Sequence, residues 1–223
     1  MRKINFVGVI LMLFVLFACD KDEKSFSTNI WVSLATVKQI NNSTPVLLQL
    51  DNGLLVWPVN NSNDFNTSDG QRVLISYNIL SDSAQNNPKR EIRLNTISNV
   101  QIKQVAALTT ANKDSIGNDP LGISNIWIGG GYLNVSFYIY GNKTAHLVSL
   151  AYNTTIPPSN DGKVHLELHQ NAFGDTSTGL NTGVISFDIK SFVQNRISPV
   201  EIIIEVKNYA GTVITYPFTY TFN

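Results

Sequence analysis

The sequence predicts an all-β chain divided into two domains. Val, Ile, Thr, Tyr and Phe recur in short runs separated by Asn, Asp, Gly and Ser, the composition of strands and of the turns that join them. No window sustains a 3.6-residue apolar period, so long helices are not expected. The chain has 223 residues, 43% of them hydrophobic, enough for two compact cores. Cys19 is the only cysteine, so no disulfide staples either domain and each must hold by its core.

The amino terminus reads as an address. Arg2 and Lys3 precede an apolar run from Ile4 to Ala18, shorter than the about 20 apolar residues that cross a hydrocarbon core. Leu16-Phe17-Ala18-Cys19 resembles a lipobox. The resemblance implies a signal peptide over 1–18, cleavage before Cys19, and a membrane anchor of acyl chains such as palmitate on that residue. Residues 19–27 are charged and small and read as the lipidated tether. Within it Lys21, Asp22 and Glu23 resemble the surface-export signal of Bacteroidota lipoproteins, which implies the outer membrane and the cell surface. An ordinary solvated linker is the plainer reading of the same charges.

Residues 28–108 are expected to form the first domain. Strand-like runs lie at Ile30 to Val37, Val46 to Leu50, Leu54 to Val59 and Arg72 to Ile79, with Ile92 to Val105 long enough for two. Asp51-Asn52-Gly53 is a hairpin turn, because Asn and Gly accept the positive φ of tight primed turns. Five short strands in about 80 residues fit a small Greek-key barrel of the OB type, without an evident helix between the third and fourth strands.

Residues 109–120, rich in Thr, Asn, Asp and Gly, are expected to be a linker, and 121–223 a second domain of the immunoglobulin-like β-sandwich kind. Its runs are Ile126 to Tyr140, His146 to Tyr152, Val164 to His169, Val184 to Ile189, Val200 to Lys207 and Ile214 to Phe222. In the last, Tyr216, Phe218, Tyr220 and Phe222 share one face and should point to the core. Pro217 cannot donate a ladder hydrogen bond and places this strand at a sheet edge.

Composition excludes more functions than it supports. Sixteen basic and sixteen acidic residues give a net charge of zero, so there is no basic field for nucleic acid. Gly-x-Ser-x-Gly, His-Glu-x-x-His and EF-hand patterns are absent from the sequence, no cofactor motif is present, and no catalytic residue is named. Asp161 and Asp175 stand beside glycines as turn carboxylates with no evident acid–base partner. His165, Glu167 and His169 fall on one face of a strand, about 7 Å apart by the strand rise. A solvated sheet face explains them better than a metal site, for which the sequence offers no supporting carboxylates. Gly141-Asn142-Lys143-Thr144 lacks the upstream glycine of a phosphate-binding loop. Trp57, beside Pro58, is the ring best placed to contact a ligand such as a glycan, against the commoner fate of a core or rim tryptophan. Asp82-Ser83-Ala84 and Asp114-Ser115-Ile116 resemble the O-glycosylation motif of the same bacterial group, which makes Ser83 and Ser115 candidate acceptors in polar loops.

Trp127-Ile-Gly129-Gly130-Gly131-Tyr132-Leu133-Asn134, then Ala145-His146, Leu166-Glu-Leu168, Asn171-Ala-Phe-Gly174-Asp175 and Gly183-Val-Ile-Ser-Phe187 resemble the pattern of NigD-like lipoproteins. Asp69-Gly70-Gln71-Arg72-Val73 and Tyr77 agree in the first domain. The resemblance implies an OB-like domain followed by a β-sandwich, no established catalytic residues, and an immunity-type role against a bacteriocin. Read from the residues alone, the three glycines let a backbone or a large ring approach where a Cβ would clash, with Trp127 and Tyr132 as covering rings. The expected function is a membrane-anchored, non-enzymatic binding or protective module with a protein or glycan ligand. A metal-dependent or glycan-processing enzyme and a structural subunit of a surface assembly are the alternatives.

Overall fold

The structure is a computed structural model, and it describes residues 29–40, 43–60, 67–81 and 89–222. Five strands close the first domain: β1 (Trp31–Ile40), β2 (Ser43–Leu50), β3 (Leu55–Pro58), β4 (Arg72–Ser81) and β5 (Lys89–Asn99). Their order around the barrel is β1-β2-β3-β5-β4, with β3 parallel to β5 and the other pairs antiparallel, the OB arrangement that the strand count predicted. Alternation decides what fills it: Ala35, Val37, Leu48, Val56, Val73, Ile75, Tyr77 and Ile92 point inward and are buried. Among the described residues no helix joins β3 to β4.

The barrel ends earlier than composition indicates. Val100 donates its N–H to Arg72 O, and from Gln101 the chain pairs with the sandwich. The segments β6 (Gln101–Gln104) and β7 (Ala106–Leu108), assigned from sequence to the first domain, belong to the two sheets of the second. The boundary at 108 is therefore corrected to Val100, and residues 109–120 are not a free linker. They carry a single helical turn, α1 (Lys113–Ile116), whose Ile116 packs with Leu108 and Ala151, and Asp119 bridges to Gln170. The segment is polar because it runs over the outside of a sheet, with Thr109 and Asn112 exchanging turn hydrogen bonds.

The remaining strands are β8 (Gly122–Gly129), β9 (Tyr132–Tyr140), β10 (Leu147–Asn153), β11 (Val164–Asn171), β12 (Leu180–Asp188), β13 (Val200–Lys207) and β14 (Val213–Tyr220). They form two packed sheets, β14-β13-β11-β10-β7 and β6-β12-β9-β8. The pairs β6/β12, β7/β10 and β11/β13 are parallel. Leu133, Val135, Leu150, Leu166, Phe187, Ile202 and Ile204 fill the space between the sheets. β14 lies at an edge, as Pro217 requires, and buries Tyr220 and part of Tyr216, Phe218 and Phe222 while its threonines face out. A turn of helix that the period-2 reading missed, α2 (Ile189–Val193), follows β12 directly. Asp188 caps it by accepting Ser191 N–H at 2.9 Å, and Ile189 and Val193, four apart, reach the core.

Candidate functional site

The two domains meet at a buried polar knot. The barrel supplies Arg72 from the start of β4, Thr36 from β1 and Asp51 from the β2–β3 turn; the sandwich supplies Trp127, Asn134 and Ser186 from β8, β9 and β12. Arg72 Nη2 donates to Asp51 Oδ1 at 2.5 Å and to Asn134 Oδ1 at 3.0 Å. Asp51 Oδ2 accepts from Trp127 Nε1 at 3.1 Å and from Asn134 Nδ2 at 3.0 Å, and Ser186 Oγ donates to Asn134 Oδ1 at 2.7 Å. The Tyr132 ring lies 4.9 Å from the guanidinium carbon, a cation–π contact. Every charge here has a partner of opposite sign or a fixed dipole, which makes a buried ion pair tolerable.

Two of the three glycines, Gly129 and Gly130, adjoin this knot. A Cβ on Gly129 would lie 2.6 Å from Asp51 Cβ, so only glycine lets the turn of the barrel sit against the hairpin of the sandwich. Gly130 and Gly131 form the two-residue turn between β8 and β9 with φ of 62° and 92°, the doubly positive geometry of a primed hairpin. The closest approach is thus by a carboxylate, with Trp127 and Tyr132 at its flanks, where the sequence pointed to the rings. Asp51, read from sequence as a turn residue alone, is the centre of the junction.

The face richest in chemistry is the outer side of the five-stranded sheet. β11 buries Val164, Leu166 and Leu168 and turns His165, Glu167 and His169 outward, as its period dictated. Parallel pairing sets Glu167 directly beside Glu205 of β13, a like-charge pair that costs stability unless compensated. A histidine lies against each: His169 Nε2 is 2.9 Å from Glu167 Oε2, and His165 Nδ1 is 3.6 Å from Glu205 Oε1. Asn153 Nδ2 donates to Glu167 Oε1 at 2.8 Å. The bond to His169, ahead of that from Asn153, holds the Glu167 carboxyl below its ordinary range despite partial burial. His165 Nε2 also lies 2.9 Å from Asp161 Oδ2, which lowers that carboxyl to about 2. Asp161 is therefore not an isolated carboxylate; the β10–β11 turn brings it to the ring four residues on. Each ring thus lies against carboxylates, and among the described residues no three such side chains are arranged so that they could hold a metal ion.

Two hollows open on this face. The larger, about 730 Å³, runs beneath α1 between Leu108, Asp114, Asp119, His169 and Lys207. The smaller, about 290 Å³, lies by Tyr152, Pro157, His165 and Arg196. Glu167 and Glu205 line both, so the hollows form one trough with the paired glutamates at its waist.

Asp175 is likewise paired. Its Oδ2 accepts the N–H groups of Asn142, Lys143 and Thr144 at 3.0, 2.8 and 3.0 Å and lies 3.6 Å from His146 Nε2. The amides of the Gly141-Asn-Lys-Thr144 turn do converge on an anion, and the anion is the chain's own carboxylate. Hydrogen bonds from the Ser177 hydroxyl and N–H, then from Lys143 and Thr144, hold Asp175 far below the usual carboxylate range. A depressed folded pKa contributes stability that is complete above the unfolded value and is lost only as pH falls through the folded one. The turn is expected to stay latched well below pH 4, whereas Asp175→Asn should release it at neutral pH; hydrogen exchange at residues 142–144 would show faster exchange in the variant, and equal protection would refute the latch.

Trp57 is half-buried on the outer side of β3, opposite the inward Val56. Ser115 is exposed, but on α1 instead of a loop; its hydroxyl donates to Asn112 O at 2.9 Å, and the neighbouring Ile116 is buried. Cys19, Lys21, Asp22, Glu23 and Ser83 lie outside the described residues.

Comparison with known proteins agrees with this architecture. Residues 34–100 match the NigD-like N-terminal OB domain and residues 104–220 the NigD-like C-terminal beta sandwich domain. No curated protein sequence matches the chain. Among solved structures, a protein of unknown function from Bacteroides vulgatus is 28% identical, with 87% of this chain and 92% of that one covered at a TM-score of 0.77. A toxin-related protein from Parabacteroides distasonis is 28% identical, covering 86% and 94% at a TM-score of 0.69. A NigD-like immunity protein from Bacteroides caccae has the same fold at 19% identity, covering 87% and 99% with a TM-score of 0.67.

Proposed function

The chain belongs to the NigD-like family, and from that premise we propose that it is a lipid-anchored surface lipoprotein whose sandwich binds a protein toxin or its receptor without chemical turnover, in an immunity-like role. The observation that carries the reading is the trough on the outer sheet face. Its carboxylates are held in place by neighbouring imidazoles, at Glu167–His169 and Asp161–His165–Glu205, and give the trough an acidic lining. Such a surface recognises a charged polypeptide by complementarity, and it holds no unengaged acid and base aimed at one reacting atom. In this reading Cys19 carries the lipid, Lys21-Asp22-Glu23 directs export, and Ser115 with Ser83 accepts glycan. Two acyl chains on Cys19 supply stable anchoring, each buried methylene contributing about 0.8 kcal/mol.

Deletion of the gene in its own host tests the role, read as survival beside toxin-producing relatives. The deletion strain is expected to be sensitised and to be rescued by the wild-type chain. Cys19→Ala, released from membranes, should not rescue, and Glu167→Lys with Glu205→Lys, which reverses the trough's charge, should lose most of the rescue. Unchanged survival of the deletion strain overturns the immunity reading, and Cys19→Ala fractionating with membranes overturns the anchor.

A further inference from the structure

The exposed apolar corner of the barrel lies where the tether enters it. Ile30, Trp31 and Val32 are 66%, 48% and 64% exposed, a contiguous apolar segment with no charge and no proline in it. The corner is held in place. β1 pairs with β4 from Trp31 onward, Asn78 Nδ2 donates to Asn29 O at 3.0 Å, and Ser33 Oγ and Tyr77 OH are 3.3 Å apart. The ladder between β1 and β2 begins only at Ala35, so among the described residues Trp31 to Leu34 pair along one edge alone. An uncharged apolar edge of this kind is a pairing hazard that natural sheets keep covered.

Chain length decides what covers it. Ile30 lies eleven steps along the chain from Cys19, with ten residues between them. Even fully extended this stretch spans no more than about 40 Å, so a lipid on Cys19 keeps this corner within reach of the bilayer. We propose that Ile30, Trp31 and Val32 dock into the bilayer interface as a second membrane contact. The proposal rests on the lipid-anchor reading. Trp is the side chain best suited to the headgroup level, where its ring meets acyl carbon and its N–H meets water. The unpaired edge limits the depth: backbone groups without partners are tolerated among hydrated headgroups and not in the hydrocarbon core. The contact is therefore shallow, and it orients the barrel mouth toward the membrane, which a single lipid on a tether does not.

The full-length lipoprotein, purified from membranes and reconstituted into phosphatidylethanolamine–phosphatidylglycerol vesicles carrying lipids spin-labelled high on the acyl chain, tests this. Trp31, Trp57 and Trp127 are the only tryptophans. Wild type is expected to lose up to about a third of its emission to the quencher, the share of one shallow ring in three, and Trp31→Phe to lose almost none. Ile30→Ser with Val32→Ser should cut the quenching at least twofold while thermal unfolding stays unchanged, since both side chains are exposed. Equal quenching of wild type and Trp31→Phe in floated vesicles overturns this docking and leaves the anchor standing, as does a dimer that shields Trp31. A chain that does not float with vesicles overturns the anchor reading and this one with it.

Discussion

Asp51→Ala is expected to destabilise the two-domain body by about 3–5 kcal/mol, the range for stripping one partner from a buried ion pair. The side chain of Arg72 is 0% exposed and that of Asp51 17%, so removing the carboxylate leaves a buried guanidinium without its counter-charge. Thr36, Asn134 and Ser186 still offer oxygens, but none carries charge. Trp127 Nε1 and Asn134 Nδ2 lose their shared acceptor as well. The form of the loss is as diagnostic as its size. With the knot cut, a barrel matched over residues 34–100 is left to stand on its own core, and domains of that size are marginal. Urea unfolding of the lipid-free chain should pass from one transition to two, barrel first, and Asp51→Asn, which keeps the shape and drops the charge, should fall between. A loss below about 1 kcal/mol with a single transition would show that the junction is held by apolar contact.

Phe187→Ala should cost about 3–5 kcal/mol, the transfer energy of the ring plus the cavity it leaves. Phe187 is 0% exposed, opposite Leu133 on one side and Lys103 on the other, and packs between the sheets with Leu150, Leu166 and Ile202. Two sheets pinned by continuous ladders on both sides cannot close over a missing ring. The adjacent Ser186 ties the same strand to Asn134, so the variant should also weaken the junction and couple non-additively with Asp51→Ala in a double-mutant cycle. Thr221→Ala, exposed beyond the last strand, serves as the control and should stay within about 0.5 kcal/mol. A Phe187→Ala cost near that of the control would mean that the core relaxes around the gap.

By itself the sequence determined the all-β class, the barrel followed by a sandwich, the hairpin at Asp51 to Gly53, the inward face of Val164, Leu166 and Leu168, and the edge placement of Pro217. The last three of these are local. A strand's period is 2, a tight hairpin needs glycine where φ turns positive, and a proline lacks an N–H, so a few consecutive residues suffice to show them; the hairpin itself is not the primed turn expected, since Gly53 alone has positive φ, 84°, and Asn52 does not. Tertiary structure alone decided that β6 and β7 leave the barrel for the sandwich, because a strand's partner depends on a register that its own composition does not encode. It alone joined Arg72 to Asp51 and Asn134, 21 and 62 residues away, and set Glu167 beside Glu205 and Asp175 over the amides of 142–144. In the chain these are scattered turn and surface polar residues like any others. What makes them a lock, a trough and a latch is burial, which raises the strength of a hydrogen bond and the cost of an unpaired charge together and comes only from what packs against them in three dimensions.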